Sequence, residues 1–201
     1  MKTIKDPVHG HVRVSNDLLP LLDAPHVQRL RYVRQLGFSH LVYPGANHSR
    51  FEHSVGTMHL AGTMARELDL NADECLLTEA AALLHDIGHG PFSHATEPLL
   101  TEFCGRGHDD IAPLLIEDLA PLLSSAGIDQ DEITAMVNGT HRYAGIIHGD
   151  LDVDRMDYLM RDAHYTGVPY GTVDPDRLIH SSAINDESGL YLRAKGINSA
   201  E

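Results

Sequence analysis

The stretch from Ala72 to Asp86 limits the fold more than any other part of the chain. Leu76, Leu77, Ala80, Ala81, Leu83 and Leu84 fall on almost every side of the helix their spacing predicts. A helix that is apolar all round has to be central. Asn71, with Glu74 three residues on, has the pattern of a capping box at its start, and Gly88, Gly90 and Pro91 end it abruptly. The helix therefore carries His85 and Asp86 into the interior side by side. Burying an adjacent imidazole and carboxylate is costly unless something pairs them. A divalent metal does so, because both groups are good donors for it. A helix-terminal ion pair is the plainer reading of a bare His-Asp dipeptide. His89 and His94 follow on a tight turn, and histidines beside a metal are candidate proton donors to a leaving group. Glu97, three residues beyond His94, is placed to orient it.

Around this element the chain reads as a helical bundle with two small β-hairpins. Thr3–Lys5 and His11–Val14 flank the turn Asp6-Pro7-Val8-His9-Gly10. A short helix capped by Ser15 or Asn16 is expected to end before Ala24-Pro25. A second is expected from Pro25 to Leu36, stopped by Gly37. Val55, Met58, Ala61, Met64 and Ala65 predict a helix from Phe51 to Leu68. Further helices are expected at about 94–103, 108–125, 129–138 and 150–163. Arg177–Ile184 and Gly189–Ala194 flank a second hairpin turn. Asn198-Ser199-Ala200-Glu201 reads as the start of another helix.

Composition narrows the class. In 201 residues, 42% are hydrophobic, which is globular. No apolar run reaches the roughly 18 residues a membrane span needs, and the N-terminus has no signal-peptide core. A soluble, cytoplasmic protein is expected. Cys75 and Cys104 form no disulfide framework and read as reduced thiols. A net charge of −14 opposes binding to nucleic acid through the whole surface. The 15 histidines matter more, because many fall in a few short segments and histidine both ligates metals and moves protons near neutral pH.

Two further segments carry chemistry. In Asn47-His48-Ser49-Arg50-Phe51-Glu52-His53, His53 lies in the first turns of an amphipathic helix. Arg50 stands just before it, where guanidinium and helix N-terminus together can meet a phosphate. In Asp150–Asp162, the residues Asp154, Tyr158 and Asp162 are spaced i, i+4, i+8 and share one helix face. Leu151, Met156, Leu159 and Met160 make other sides apolar, so this polar face is expected to line a cleft.

These segments, in the pattern H…HD…D, resemble the HD-domain phosphohydrolase superfamily. Asp6-Pro7-Val8-His9-Gly10-His11, Gln28-Arg29-Leu30-Arg31-Tyr32, Arg34-Gln35-Leu36-Gly37, Arg50-Phe51-Glu52-His53-Ser54, His85-Asp86-Ile87-Gly88-His89-Gly90-Pro91-Phe92-Ser93-His94 and Asp152-Val153-Asp154-Arg155 look like its deoxynucleoside triphosphate triphosphohydrolase branch. The resemblance implies an all-α domain over residues 1–201, lacking a C-terminal subdomain that relatives have. It implies one divalent ion (Fe, Mn, Zn or Mg) held by His53, His85, Asp86 and Asp154. It places His89, His94, Glu97 and His108 among the catalytic residues. Arg50, Arg155 and Tyr158 match phosphate-contacting positions, Gln35 and Asp162 match deoxyribose contacts, and Leu36 stands with the substrate-binding positions. The implied products are a deoxynucleoside and triphosphate. Asp23, Gln28 and Arg31 match a guanine-nucleotide activator pocket at the subunit interface of a homo-oligomer. Lys5 departs from the asparagine sometimes found at its position. Two other readings stay open: a different nucleotide phosphohydrolase on the same scaffold (a 5′-nucleotidase or phosphodiesterase), and a non-catalytic nucleotide sensor.

Overall fold

A computed structural model describes the chain except for Arg106, Asp109, Gly171, Thr172, 186–188 and 194–201; Ser93, His94, Leu100, Cys104, Ile116 and Glu117 are described by backbone alone. The chain opens with an antiparallel hairpin, β1 (Lys2–Asp6) and β2 (Gly10–Val14), in which Asp6 faces Gly10 across the turn. Two single-turn helices follow, α1 (Leu19–Leu22) and α2 (Pro25–Gln28). The long helices α3 (Arg50–Glu67) and α4 (Ala72–Leu84) pack along each other at the centre. Then come α5 (Glu97–Cys104), α6 (Ala112–Leu114), α7 (Ala120–Ser125), α8 (Gln130–Val137), α9 (Val153–Thr166) and α10 (Pro175–Ser181). A second antiparallel hairpin, β3 (Ser182–Asn185) and β4 (Gly189–Leu192), comes last among the described residues. None of the described helices is long and apolar enough to cross a membrane.

The two central helices form for reasons visible in their ends and middles. Both carry a full capping box: Ser49 with Glu52 on α3, Asn71 with Glu74 on α4. Each satisfies N–H groups that the first turn leaves without helical partners. Ala80, Ala81, Ala82, Leu83 and Leu84 are all fully buried, so α4 is the core of the bundle. Each buried leucine side chain contributes about 2 kcal/mol relative to exposure. The packing of α8 against α4, and of α9 and α10 against α3, completes the enclosure.

Three expectations need correction. The helix expected from Pro25 to Leu36 continues past Gln28 only as a tighter turn over Arg29–Tyr32. Val33 is extended because its carbonyl accepts from the Arg50 amide (2.8 Å), while the Gln35 amide donates to the His48 carbonyl (3.1 Å). Pairing with 48–50 wins over helix propensity there. The 108–125 helix starts only at Ala112 and widens to a π turn over Leu115–Leu119. Pro121, with no N–H to give, sits in the first turn of α7 just beyond it. In the tail, Arg177–Ser181 is helix rather than strand. Asp174 caps it by accepting from the Arg177 amide (3.1 Å), and Pro175 occupies the first position. Cys75 is a free, half-buried thiol. The Cys104 side chain, Ala194 and the tail from Asn198 lie outside the described residues.

Candidate metal centre and its cavity

Three helices bring four donor groups to one point. His53 comes from the second turn of α3, His85 and Asp86 from the end of α4, and Asp154 from the first turn of α9. His85 Nδ1 lies 2.7 Å from the Ala82 carbonyl oxygen. A carbonyl only accepts, so Nδ1 carries the proton and Nε2 presents a lone pair. That Nε2 is buried, has no hydrogen-bond partner among the described residues, and lies 3.5 Å from Asp86 Oδ1 and 3.6 Å from Asp154 Oδ1. His53 is arranged the same way. Its Nδ1 is 2.8 Å from Asp157 Oδ2, and its Nε2 is 2.8 Å from Asp154 Oδ1 and 3.8 Å from Asp86 Oδ2. An imidazole held by an acceptor on one nitrogen, with the other aimed at carboxylates, is the arrangement that metal-ligating histidines use. Two imidazole nitrogens and two carboxylates suit a divalent ion. The residues present fit such a group.

The electrostatics agree. Burial by itself lowers the pKa of His53, but hydrogen bonds and charge from Asp154 and Asp157 outweigh it and raise the pKa to about 10. Asp86 and Asp154 are buried too, which alone would raise them. Their histidine neighbours, with Arg50 beside Asp86, hold both well below the usual carboxylate range. The carboxylates that draw protons onto these imidazoles would attract a divalent cation in their place.

The four groups floor a cavity of about 470 Å³, which Gln35, Arg50, His89, His108 and Tyr158 also line. Arg50 Nη1 donates to Asp86 Oδ2 (2.6 Å), so its guanidinium sits at the cavity with its charge beside the donor cluster. Gln35 Oε1 is buried without a hydrogen-bond partner among the described residues. His89 and His108 stack at 4.0 Å, and His89 Nε2 is 3.4 Å from Asp86 Oδ1. Glu97 grips His108 twice: Oε2 lies 2.8 Å from Nδ1, and Oε1 accepts from the backbone amide at 3.0 Å. This pairing requires Gly88, because a Cβ there would lie 1.9 Å from the His108 carbonyl oxygen. Arg29 ties down the same turn by donating to the carbonyls of Ile87 and His89. The His94 side chain lies outside the described residues.

Other candidates stand elsewhere. Asp154 and Tyr158 face the cavity, but Asp162, on the same face of α9, accepts from His48 Nε2 (2.8 Å) and does not line it. Arg155 is exposed and donates to the Asp150 carbonyl (2.9 Å), outside the cavity lining. Leu36 is half-buried and also outside it. Asp23 follows α1 directly, Gln28 ends α2, and Arg31 sits in the turn beyond it. Gln28 accepts from Arg31 Nε (2.8 Å), Asp23 pairs with Lys2 (3.6 Å), and Arg31 lies over the Phe51 ring.

Several neighbours carry little signal in the sequence. Asn138, at the C-terminal cap of α8, and His148, in the loop before α9, line the cavity. His48 holds Asp162, and Asp157 holds His53. An i,i+4 Asp157–Arg161 pair was readable. Its burial was not.

Comparison with known proteins places these residues in context. The HD domain family model matches residues 50–162, more than half of the chain. An uncharacterized protein of Methanocaldococcus jannaschii is 38% identical over the whole chain, which spans 43% of that relative. The human deoxynucleoside triphosphate triphosphohydrolase SAMHD1 is 31% identical over 84% of this chain and 34% of its own. Among solved structures, a hypothetical protein from Aquifex aeolicus superposes with a TM-score of 0.89 at 37% identity, covering 99% of this chain and 55% of that one. A phosphohydrolase from Bacteroides thetaiotaomicron gives 0.85 at 35%, covering 98% and 50%. The chain thus spans between about a third and about half the length of these relatives.

Proposed function

The chain belongs to the HD-domain phosphohydrolase superfamily, and from that premise we propose that it hydrolyses deoxynucleoside triphosphates to deoxynucleoside and triphosphate. The observation that carries this reading is the convergence of His53, His85, Asp86 and Asp154 on the floor of a cavity that also presents Arg50, Tyr158 and two histidines. Those four residues would hold the divalent ion (Fe, Mn, Zn or Mg). When bound, it supplies Lewis acidity to a phosphoryl oxygen and a water of lowered pKa.

The chain's own residues do the rest. Arg50 offers guanidinium donors to the polyphosphate, and Tyr158 a hydroxyl. Arg155 would reach the phosphates only by leaving the Asp150 carbonyl. Gln35 offers its unpartnered carbonyl to a sugar hydroxyl, whereas Asp162, held by His48, and Leu36 would join the sugar side only by turning toward the cavity. Water adds to the α-phosphorus, the bond to the 5′ oxygen breaks, and that oxygen needs a proton. His89, His94 and His108 are the candidate donors, with Glu97 orienting His108. At the surface, Asp23, Gln28 and Arg31 form the proposed guanine-nucleotide activator pocket of a cytoplasmic homo-oligomer.

Incubating metal-loaded chain with each deoxynucleoside triphosphate and resolving the products tests the reading. Free deoxynucleoside with intact triphosphate supports it. Stepwise orthophosphate release points to another phosphohydrolase, and bound metal without turnover points to a sensor.

A further inference from the structure

Asp157 and Arg161 on α9 are fully buried, and the N-terminal hairpin is built onto them. The Asp157 carboxylate takes four contacts. Arg161 donates to both of its oxygens (Nε to Oδ2 and Nη2 to Oδ1, each 2.9 Å). His53 Nδ1 approaches Oδ2 at 2.8 Å, and His9 Nε2 approaches Oδ1 at 2.5 Å. The remaining arm of Arg161, Nη1, donates to Asp6 Oδ2 (2.9 Å). Asp6 also shapes the hairpin turn, its Oδ1 accepting from the amides of Val8 (2.9 Å) and His9 (2.8 Å). α3 makes room for this cluster at Gly56, where a Cβ would lie 1.9 Å from Asp157 Oδ1 and 2.3 Å from Arg161 Nη2.

Stability alone is a poor account of such a cluster. Desolvating two carboxylates and a guanidinium offsets most of their attraction, and an apolar replacement of similar volume often does as well. What the cluster does do is hold one atom. Asp157 fixes the tautomer and ring plane of His53, His9 and Arg161 fix Asp157, and Asp6 fixes Arg161. We propose that the turn Asp6–Gly10 is a positioning element of the metal centre. Through Asp6 and His9 it sets the orientation of His53, and so the affinity for the divalent ion, without itself reaching the ligand atoms. The inference rests on the metal reading above and extends it to a part of the chain outside the family-model match.

The test is a Co²⁺ titration of the full chain, followed by the visible d–d absorption of the bound ion and by competition with a chelator. Asp157→Asn is expected to weaken Co²⁺ binding by roughly 10- to 100-fold, the usual scale for losing such a support. His9→Ala and Asp6→Asn are expected to weaken it by about 10-fold and alter the absorption band, with His9→Gln restoring part of the loss. Val12→Ala, a cavity mutation in the same hairpin, is the control: it lowers Tm and leaves affinity and band unchanged. The proposal is overturned if His9→Ala and Asp6→Asn bind Co²⁺ as the unaltered chain does, or if Val12→Ala weakens binding to the same extent. Absence of stoichiometric Co²⁺ binding by the unaltered chain overturns the metal reading itself, whatever the hairpin variants do. Should Asp157→Asn fail to fold, the His9 pair still decides.

Discussion

The two hairpins of this protein have the same form and opposite relations to the site. β1–β2 and β3–β4 are both two-stranded, antiparallel and set against the helical bundle. The first sends Asp6 and His9 into a buried ionic cluster that touches a candidate metal ligand. The second rests on the bundle through Ile184, Leu190 and Leu192, all partly buried and apolar. An element's type therefore says little about its part in function. What distinguishes the two is whether the contacts are directional and charged, which transmits geometry, or apolar, which transmits mainly stability.

The largest effect is expected where the first hairpin's cluster ends, at the donor set. Asp154→Ala or His85→Ala should remove stoichiometric metal and turnover together, as elemental analysis and product assay would show. Turnover retained by either variant breaks the link between cluster and chemistry. Arg161→Ala comes next. It strands Asp6 and Asp157 as buried carboxylates, and chemical denaturation should register a loss of about 3–5 kcal/mol. A loss below about 1 kcal/mol would mean the cluster is far better hydrated than its burial indicates. His94→Ala, at a proposed proton donor, sharpens the contrast: metal stays bound and turnover falls by roughly 100-fold. On the second hairpin, Leu190→Ala should cost only about 1–2 kcal/mol of stability, with Co²⁺ affinity unchanged. A drop in affinity there would erase the distinction between the hairpins.

The smallest expected effect is on pH dependence. In the metal-free chain the His53 pKa is raised from 6.5 to about 10. Its stabilising contribution is therefore fully present below about 6.5 and disappears as pH rises through about 10. A bound cation replaces that proton, so the rise in Tm that Co²⁺ produces should grow between pH 6.5 and 8.5. A constant increment would indicate that His53 carries no exchangeable proton in the site.

Much of this was legible in the chain. The centrality of α4 followed from its apolar residues on every side, and the Asn71–Glu74 cap from its spacing. The i, i+4 spacing put Asp154 and Tyr158 on one face of α9, and both do face the cavity. Asp162 shares that face but not the cavity lining, because His48, over a hundred residues away, holds it, which spacing cannot show. The Glu97–His108 and His9–Asp157 pairings were hidden for the same reason. Each joins positions that only the fold brings together, and each residue alone reads as an ordinary polar group. The overlong helix expected after Pro25 had a different cause: a backbone pairing with 48–50 overrode a local pattern that was itself helical. Pro175, with Asp174 before it, was a helix start signal available in the sequence.

Metal-loaded chain is incubated with each deoxynucleoside triphosphate in ¹⁸O-labelled water, and both products are weighed by mass spectrometry. Attack of water on the α-phosphorus gives unlabelled deoxynucleoside and triphosphate carrying one ¹⁸O. Label appearing in orthophosphate or pyrophosphate, or in the sugar hydroxyl, would contradict it.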